Sequence, residues 1–215
     1  MADSRIPRTS QTGLHRRLVE TMERHLREPW RSPVHDYSRR AFAPLAELHD
    51  RDRPVVVDSG CGTGESTVLL AREYPECLVV GVDKSAARLD KAPELPANAR
   101  LLRADLADIW RLMDEAGWKL ARHYLLYPNP WPKPAHLKRR WHGHPVFPTL
   151  LGLGGRLVLR SNFELYVDEF AHALELAGVV EVKVVSFRAD EAISPFERKY
   201  AQSGHRLFQL TATLE

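Results

Sequence analysis

From Pro54 onward, short apolar runs rich in β-branched residues alternate with amphipathic stretches of helical period. The apolar runs are typical of strands buried on both faces, because polar residues do not alternate with the apolar ones. The predicted strands cover 54–60, 77–83, 99–105, 120–128, 154–161, 179–187 and 205–214. The predicted helices between them cover 66–75, 85–92, 106–117, 146–153 and 163–178. This alternation predicts an α/β fold with a mostly parallel sheet and helices on both faces.

The two ends of the chain extend this plan. The last two predicted strands are separated by a segment for which we predict no helix, so we expect them to pair antiparallel at one edge of the sheet. Ahead of the first strand, a polar tail precedes two predicted helices, over 14–26 and 37–48. We therefore divide the chain into an N-terminal tail and helical extension, residues 1–50, and an α/β domain, residues 51–215.

Composition limits the class of protein. The chain has 215 residues, 44% of them hydrophobic and 27% charged, as in ordinary globular domains. A net charge of +3 permits a nucleic-acid partner without requiring one. We find no secretory signal, no apolar run long enough to span a membrane and no metal-ligand spacing. Cys61 and Cys77 are expected to be buried and reduced, so we expect a cytoplasmic protein; the oligomeric state, monomer or homodimer, stays open.

A glycine-rich loop follows the first predicted strand. Gly60, Gly62 and Gly64 would let the backbone turn tightly and approach a ligand. Their GxGxG spacing differs from the GxGxxG dinucleotide fingerprint, which argues against a nicotinamide enzyme and favours a nucleoside without a pyrophosphate. Asp58, at the end of the same strand, is placed to accept a hydrogen bond from an ammonium group.

Two further acids end the next two strands. Asp83 is placed to bind both hydroxyls of a ribose, and Asp105 an adenine amino group, although Asp105 could equally cap a helix. Ligands of such sheets lie beyond the carboxyl ends of the strands, where all these residues fall. As a set, spanning roughly residues 55–107, they resemble the S-adenosylmethionine pocket of class I methyltransferases, whose Rossmann-like strand plan also matches.

The fourth strand leads into the stretch YPNPWPKPAHLKRRWH, from Tyr127 to His142. Its prolines exclude it from helix and strand interiors. Asn129 would lie where cofactor and substrate meet, and Trp131 could stack on a base. The basic residues that follow could hold phosphates: Lys133, Lys138, Arg139 and Arg140, with His136 and His142. The alternative is a solvated basic surface loop, and the adjacent active site makes us favour function.

With this loop, the sequence resembles the bacterial tRNA (guanine-N7)-methyltransferase family. PNPWPKPAHLKRR stands where the family carries a PDPWPK-type motif, and LVLRSNFELY where it has a strand ending in R-T-D. SPFERKYAQSGHRLFQL stands for its T-x-Y/F-E segment, so the resemblance covers roughly 55–210 but not the N-terminal fifth. It implies S-adenosylmethionine as cofactor, tRNA as partner, and substrate contacts from Asn162, Ser194 and Glu197.

This chain departs from the family pattern at three of these positions. The loop Asp regarded as catalytic in the family is Asn129 here, the second substrate-side Asp is Asn162, and the Thr is Ser194, whereas Glu197 is retained. Guanine N7 carries no proton, so its methylation needs alignment more than a general base. We therefore expect Asn129 to position the base, with slower turnover or a changed substrate.

Three other functions stay open. Asn129-Pro130-Trp131 approximates the Asn-Pro-Pro-aromatic motif of methyltransferases that act on exocyclic amino groups. A non-catalytic RNA-binding protein on the same fold would explain the loss of both acids. A small-molecule methyltransferase would leave the basic run without a function.

Overall fold

The computed structural model describes residues 4–49 and 52–215, which form a seven-stranded sheet in the order β3-β2-β1-β4-β5-β7-β6. The strands are β1 (Val55–Ser59), β2 (Leu78–Asp83), β3 (Ala99–Arg103), β4 (Arg122–Leu126), β5 (Gly155–Ser161), β6 (Val182–Phe187) and β7 (Leu207–Leu214). All neighbouring strands pair parallel except β7, which lies antiparallel between β5 and the edge strand β6. The predicted fold class is confirmed.

Eight α-helices and two 3-10 helices surround this sheet in the described part of the chain. The α-helices are α1 (Leu18–Arg27), α2 (Asp36–Leu48), α3 (Glu65–Glu73), α4 (Ala86–Leu89), α5 (Leu106–Glu115), α6 (Phe147–Gly152), α7 (Glu164–Leu176) and α8 (Pro195–Gln202). The 3-10 helices, Pro134–Arg139 and Trp141–Gly143, follow residues 127–133, which we call the proline loop. Short 3-10 turns accommodate this proline-rich segment, in which a long α-helix could not form.

The prediction that no helix joins the last two strands is wrong, because α8 lies between them. Ser194 accepts a hydrogen bond from the backbone N–H of Glu197 at 3.1 Å, and Pro195 occupies the first turn. Ser-x-x-Glu with a proline just inside is a helix-start signal.

Strands β1 and β2 are buried along their whole length, as their continuous apolar runs predict, whereas the edge strand β6 is exposed or half-buried, contrary to the same prediction. Along β1, Val55 and Val57 pack into one hydrophobic cluster and Val56 into another, as the two-residue period of a strand requires. Trp110 and Phe170 are fully buried in the first cluster. In the described ranges, no helix combines the length and apolarity needed to cross a membrane.

The N-terminal helices share the core of the α/β domain. Leu18 and Met22 of α1 and Phe42 and Leu45 of α2 are buried in the cluster that also contains α5 and α7. α1 contacts α7, and α2 contacts α5. The predicted domain boundary, between residues 50 and 51, lies outside the described residues.

A polar contact between α5 and the α1–α2 connection adds to this packing. The backbone N–H and the ring Nδ1 of His35 both bond Asp108 Oδ2, at 3.2 and 2.7 Å. The Asp108 carboxylate is buried on α5, whereas the His35 ring is exposed. This hydrogen bond and the nearby negative charge raise the pKa of His35 above its ordinary value of 6.5.

Because the folded-state pKa of His35 is raised, the stability that its charged ring contributes is complete below pH 6.5 and lost as pH rises through the higher folded value. We expect His35→Gln to lower the urea midpoint well below pH 6.5 and to have little effect well above it. His172→Gln, which removes an imidazole whose Nδ1 lies 3.5 Å from Glu175 Oε2 on α7, is the comparison for a longer contact with an exposed carboxylate. An equal loss of stability at both pH values would contradict this linkage.

Candidate active site

The glycine-rich loop lies at the carboxyl end of β1, beside the switch point where β1 separates β2 from β4. Gly60, Gly62 and Gly64 adopt left-handed φ angles of 80°, 60° and 80°, which explains why glycine is needed at each. A Cβ added at Gly60 or Gly62 would meet no atom within 4 Å, so the loop borders open space. Gly64 instead begins α3 and packs against Leu101.

Gly81, in the middle of β2, makes room for the helix that follows the glycine loop, and it is not among the site residues predicted from the sequence. A Cβ at this position would lie 2.3 Å from Thr67 Oγ1 and 2.6 Å from Leu101 Cδ2. The missing side chain lets the start of α3 pack directly on β2. A glycine within an otherwise β-branched strand was the available signal.

Asp83 connects β2 to the glycine loop. Its Oδ2 accepts from the Gly62 backbone N–H at 3.0 Å and from Arg88 Nη1 at 3.2 Å, and its Oδ1 accepts from the Ser85 backbone N–H at 2.8 Å. Asp83 is buried, whereas the Arg88 side chain is 56% exposed. A ribose bound here would compete with an exposed surface arginine and not with a core group.

Asp58 is buried beneath the same loop. Its Oδ2 accepts from the Ser66 and Thr67 hydroxyls, at 2.6 and 2.7 Å, while its Oδ1 is buried with no partner among the described residues. Burial outweighs the two hydroxyl hydrogen bonds and raises the pKa of Asp58 to about 6. A buried carboxylate oxygen without a donor is suited to a ligand ammonium group.

Asp105 takes the capping position that the sequence left as an alternative. Its Oδ1 accepts from the Ala107 backbone N–H at 3.0 Å, at the start of α5. An adenine contact from the half-buried Asp105 stays a prediction. The open glycine loop and the unpartnered oxygen of Asp58 fit a nucleoside cofactor with an amino group.

We expect the affinity for S-adenosylmethionine to fall as pH drops through about 6, because a protonated Asp58 cannot attract an ammonium group. If binding needs the ionised carboxyl, the loss approaches about tenfold per pH unit below that value. Calorimetry with S-adenosylhomocysteine should give the same dependence, since that compound keeps the amino group but lacks the sulfonium charge. Asp58→Asn should remove the dependence and Asp90→Asn, on the surface, should not.

The proline loop leaves the carboxyl end of β4 with two strained residues. Tyr127 and Trp131 have φ angles of 52° and 43°, the only positive values for non-glycine residues in the described ranges. Such backbone costs roughly 1–3 kcal/mol and concentrates at functional sites. Between them, the exposed Asn129 accepts from the Trp131 backbone N–H through its Oδ1, at 3.3 Å. The predicted catalytic residue therefore lies at the ligand-binding edge of the sheet.

The half-buried Trp131 and part of the basic run lie on one surface. The Arg139 guanidinium lies over the Trp131 ring, 4.7 Å from its centroid, and the His136 ring meets its edge. Lys133, Lys138 and Arg139 are exposed. An aromatic ring stacked with a guanidinium offers the flat cationic face that bases and phosphates contact.

Arg140, in contrast, does not reach this surface, which corrects its predicted phosphate contact. Its side chain is fully buried and forms an ion pair with Glu169 of α7. It also donates to the backbone oxygens of Trp131 and Lys133, at 3.2 and 3.4 Å. Arg140 therefore fixes the course of the proline loop from beneath.

Glu169 completes this buried cluster. His142 Nε2 donates to its Oε2 at 3.0 Å, and the His15 backbone N–H donates to its Oε1 at 2.8 Å. Burial alone would raise the pKa of Glu169, but the His142 and Arg140 hydrogen bonds lower it to about 2. Burial lowers the pKa of His142, so we assign the positive charge of the cluster to Arg140.

The N-terminal segment, residues 4–17, packs along this side of the domain. Gln11 donates to Glu169 through its amide nitrogen, and its Oε1 accepts from both terminal nitrogens of Arg140 at 3.3 Å. Farther back, the Ser4 carbonyl accepts from His205 Nε2 at 2.6 Å. His205 Nδ1 in turn accepts from Asn162 Nδ2 at 2.9 Å. Asn162, for which we predict a substrate contact, is buried and is linked to the segment through His205.

Glu197 and Ser194 also differ in position from the substrate contacts predicted for them. Glu197 is fully buried; it pairs with Arg160 Nη1 at 3.0 Å and accepts from the Tyr127 hydroxyl at 2.8 Å. Ser194 caps α8. Both oxygens of Glu197 are occupied, so this carboxylate joins the ends of β4 and β5 to α8 and is not free to bind guanine in this structure.

Arg140→Ala should destabilise the protein by about 3–5 kcal/mol, because it leaves the Glu169 carboxylate buried without its charged partner. Arg139→Ala, one residue earlier but exposed, should change the free energy of unfolding by no more than about 0.5 kcal/mol. Urea unfolding followed by circular dichroism measures both. Equal, small effects would show that Arg140 does not support the loop.

A family of methyltransferases matches most of the sequence, including the glycine loop and the proline loop. Residues 52–210 fit the sequence model of a family described as putative methyltransferases. No group of three or more His, Cys, Asp or Glu side chains within the described residues could hold a metal ion.

Curated relatives narrow this class. The tRNA (guanine-N(7)-)-methyltransferase of Rubrobacter xylanophilus is 32% identical over 168 residues, 74% of each chain. That of Leifsonia xyli subsp. xyli is 29% identical over 208 residues, 90% of each chain. That of Geobacillus thermodenitrificans is 28% identical over 180 residues, 77% of this chain and 82% of the relative. The chain belongs to the tRNA (guanine-N7)-methyltransferase family.

Solved structures support the fold. The 16S rRNA methyltransferase KamB superposes with a TM-score of 0.58 at 20% identity, covering 86% of this chain and 97% of KamB. A 16S rRNA (adenine(1408)-N(1))-methyltransferase from Catenulisporales acidiphilia, solved with its cosubstrate SAM, gives 0.54 at 18% identity, with 85% and 92% covered. The chain is an S-adenosylmethionine-dependent methyltransferase.

Proposed function

We propose that this enzyme methylates guanine N7 in tRNA. The observation that carries the proposal is the surface after β4, next to the glycine loop after β1, on which the half-buried Trp131 lies with the exposed Asn129, Lys138 and Arg139. The relatives described above are tRNA (guanine-N(7)-)-methyltransferases, which supports the same substrate.

The cofactor would be held by the glycine loop with Asp58, Asp83 and Asp105. Bound S-adenosylmethionine supplies an electrophilic methyl group on a sulfonium sulfur. Guanine N7 offers a lone pair in the plane of the ring and has no proton to lose, so the site needs no general base. The protein has to orient the base with N7 toward the methyl group and to exclude other orientations.

Asn129 and Trp131 are suited to that task. The prolines and the buried Arg140 fix the backbone of the loop, while Trp131, backed by Arg139, offers a face for the purine. The neutral Asn129 amide can position the base through hydrogen bonds. It cannot stabilise the positive charge that the ring acquires, as a carboxylate would.

Nucleoside mass spectrometry of tRNA lacking 7-methylguanosine, incubated with the protein and S-adenosylmethionine, should reveal 7-methylguanosine. Asn129→Asp should increase its rate of formation by roughly tenfold, because a carboxylate would stabilise the developing charge. Omitting the cofactor is the control.

Other outcomes identify the alternatives. A methylated exocyclic amino group would favour the alternative interpretation, in which Asn129-Pro130-Trp131 is the motif of methyltransferases that act on such groups. Cofactor binding with RNA binding but no methylated nucleoside would indicate a non-catalytic RNA-binding protein. Cofactor binding without RNA binding would indicate a small-molecule substrate.

A further inference from the structure

A cavity of about 740 Å³ lies between the N-terminal segment and the first 3-10 helix. The segment contributes a stretch with hydroxyl and backbone groups, residues 10–13, followed by His15, Arg16 and Arg17. The 3-10 helix contributes Lys138 from the opposite side. Among the described residues that line the cavity, none carries a carboxylate.

The cations of this cavity are not equivalent. Arg17 forms a two-pronged pair with Glu20, both contacts at 3.0 Å, which neutralises it. Arg16 and Lys138 are exposed and form no ion pair with any residue in the described ranges. The Glu20 carboxylate lies outside the lining, although it is near enough to Lys138 to interact with its charge. Two cations that face one space without a direct carboxylate partner favour an anionic ligand.

The walls of the cavity are held in place before any ligand arrives. Gln11 is fixed between Arg140 and Glu169, and the His15 backbone N–H is fixed on Glu169. Leu137, in the opposite wall, is buried. A site whose backbone is fixed by a buried ion pair loses little conformational entropy when it binds.

The cavity adjoins the surface on which the target base would stack. Lys138 faces the cavity, and the next residue, Arg139, lies over the Trp131 ring. Both belong to the same turn of the 3-10 helix. A nucleic-acid strand with one base at Trp131 would therefore bring a neighbouring phosphate toward the cavity.

We propose that this cavity receives the phosphate and sugar of a nucleotide flanking the methylated guanosine, with Arg16 and Lys138 pairing the phosphate. The inference rests on the proposed function, since it requires an RNA substrate. It makes the N-terminal segment, which the family resemblance did not cover, part of the RNA site.

Arg16→Ala and Lys138→Ala should each weaken tRNA binding about fivefold and reduce the slope of log affinity against log salt by about 0.7 to 1. Affinity for S-adenosylmethionine should not change, because neither residue lies in the glycine loop. Arg72→Ala removes the same charge from the exposed end of α3 and should leave tRNA binding unchanged. Fluorescence anisotropy with labelled tRNA over a salt series measures all three.

The outcomes separate this inference from the proposed function. If 7-methylguanosine forms but Arg16→Ala binds tRNA with the affinity and salt slope of Arg72→Ala, the cavity does not hold phosphate and the proposed function stands. If the unaltered protein neither binds nor methylates tRNA, both proposals fail. A loss confined to Arg16→Ala and Lys138→Ala, with cofactor affinity retained, supports the cavity as part of the RNA site.

Discussion

The buried ion pair between Arg140 and Glu169 is the contact on which the substrate side of this enzyme depends. It joins the proline loop, helix α7 and the N-terminal segment through a single pair of charges. Two buried charges are stable only when every remaining donor and acceptor is satisfied. Here Gln11, His142 and backbone groups supply the missing partners.

This arrangement explains how a proline-rich loop can hold two left-handed residues. The strain at Tyr127 and Trp131 persists because contacts from elsewhere fix the loop at both ends. At one end, the Tyr127 hydroxyl bonds Glu197 and its backbone N–H bonds the Arg160 carbonyl at 2.8 Å. At the other, Arg140 bonds the Trp131 carbonyl. The loop presents Asn129 between two anchored points, which suits a site that works by orientation.

The sequence predicted those features that depend on local pattern. The role of Gly60 and Gly62 could be predicted from the few residues around them. Tolerance of left-handed φ angles is a property of glycine itself and does not depend on distant contacts. The sequence could not show that Arg139 is exposed and Arg140 buried. These opposite environments depend on Trp131 and on Glu169 in a distant helix. Spacing shows that a basic run exists; only tertiary contacts show which of its members faces solvent.

The same lesson applies to Asn162, where the family carries an aspartate. Asn162 Nδ2 can only donate, so His205 Nδ1 must accept, and the ring proton must lie on Nε2. That proton is the one donated to the Ser4 carbonyl. An aspartate could not donate to Nδ1 and could only accept from a proton carried on that nitrogen. The amide at position 162 is therefore matched to the tautomer of His205 whose Nε2–H holds the N-terminal segment, so this departure from the family pattern belongs with the segment that borders the proposed RNA site.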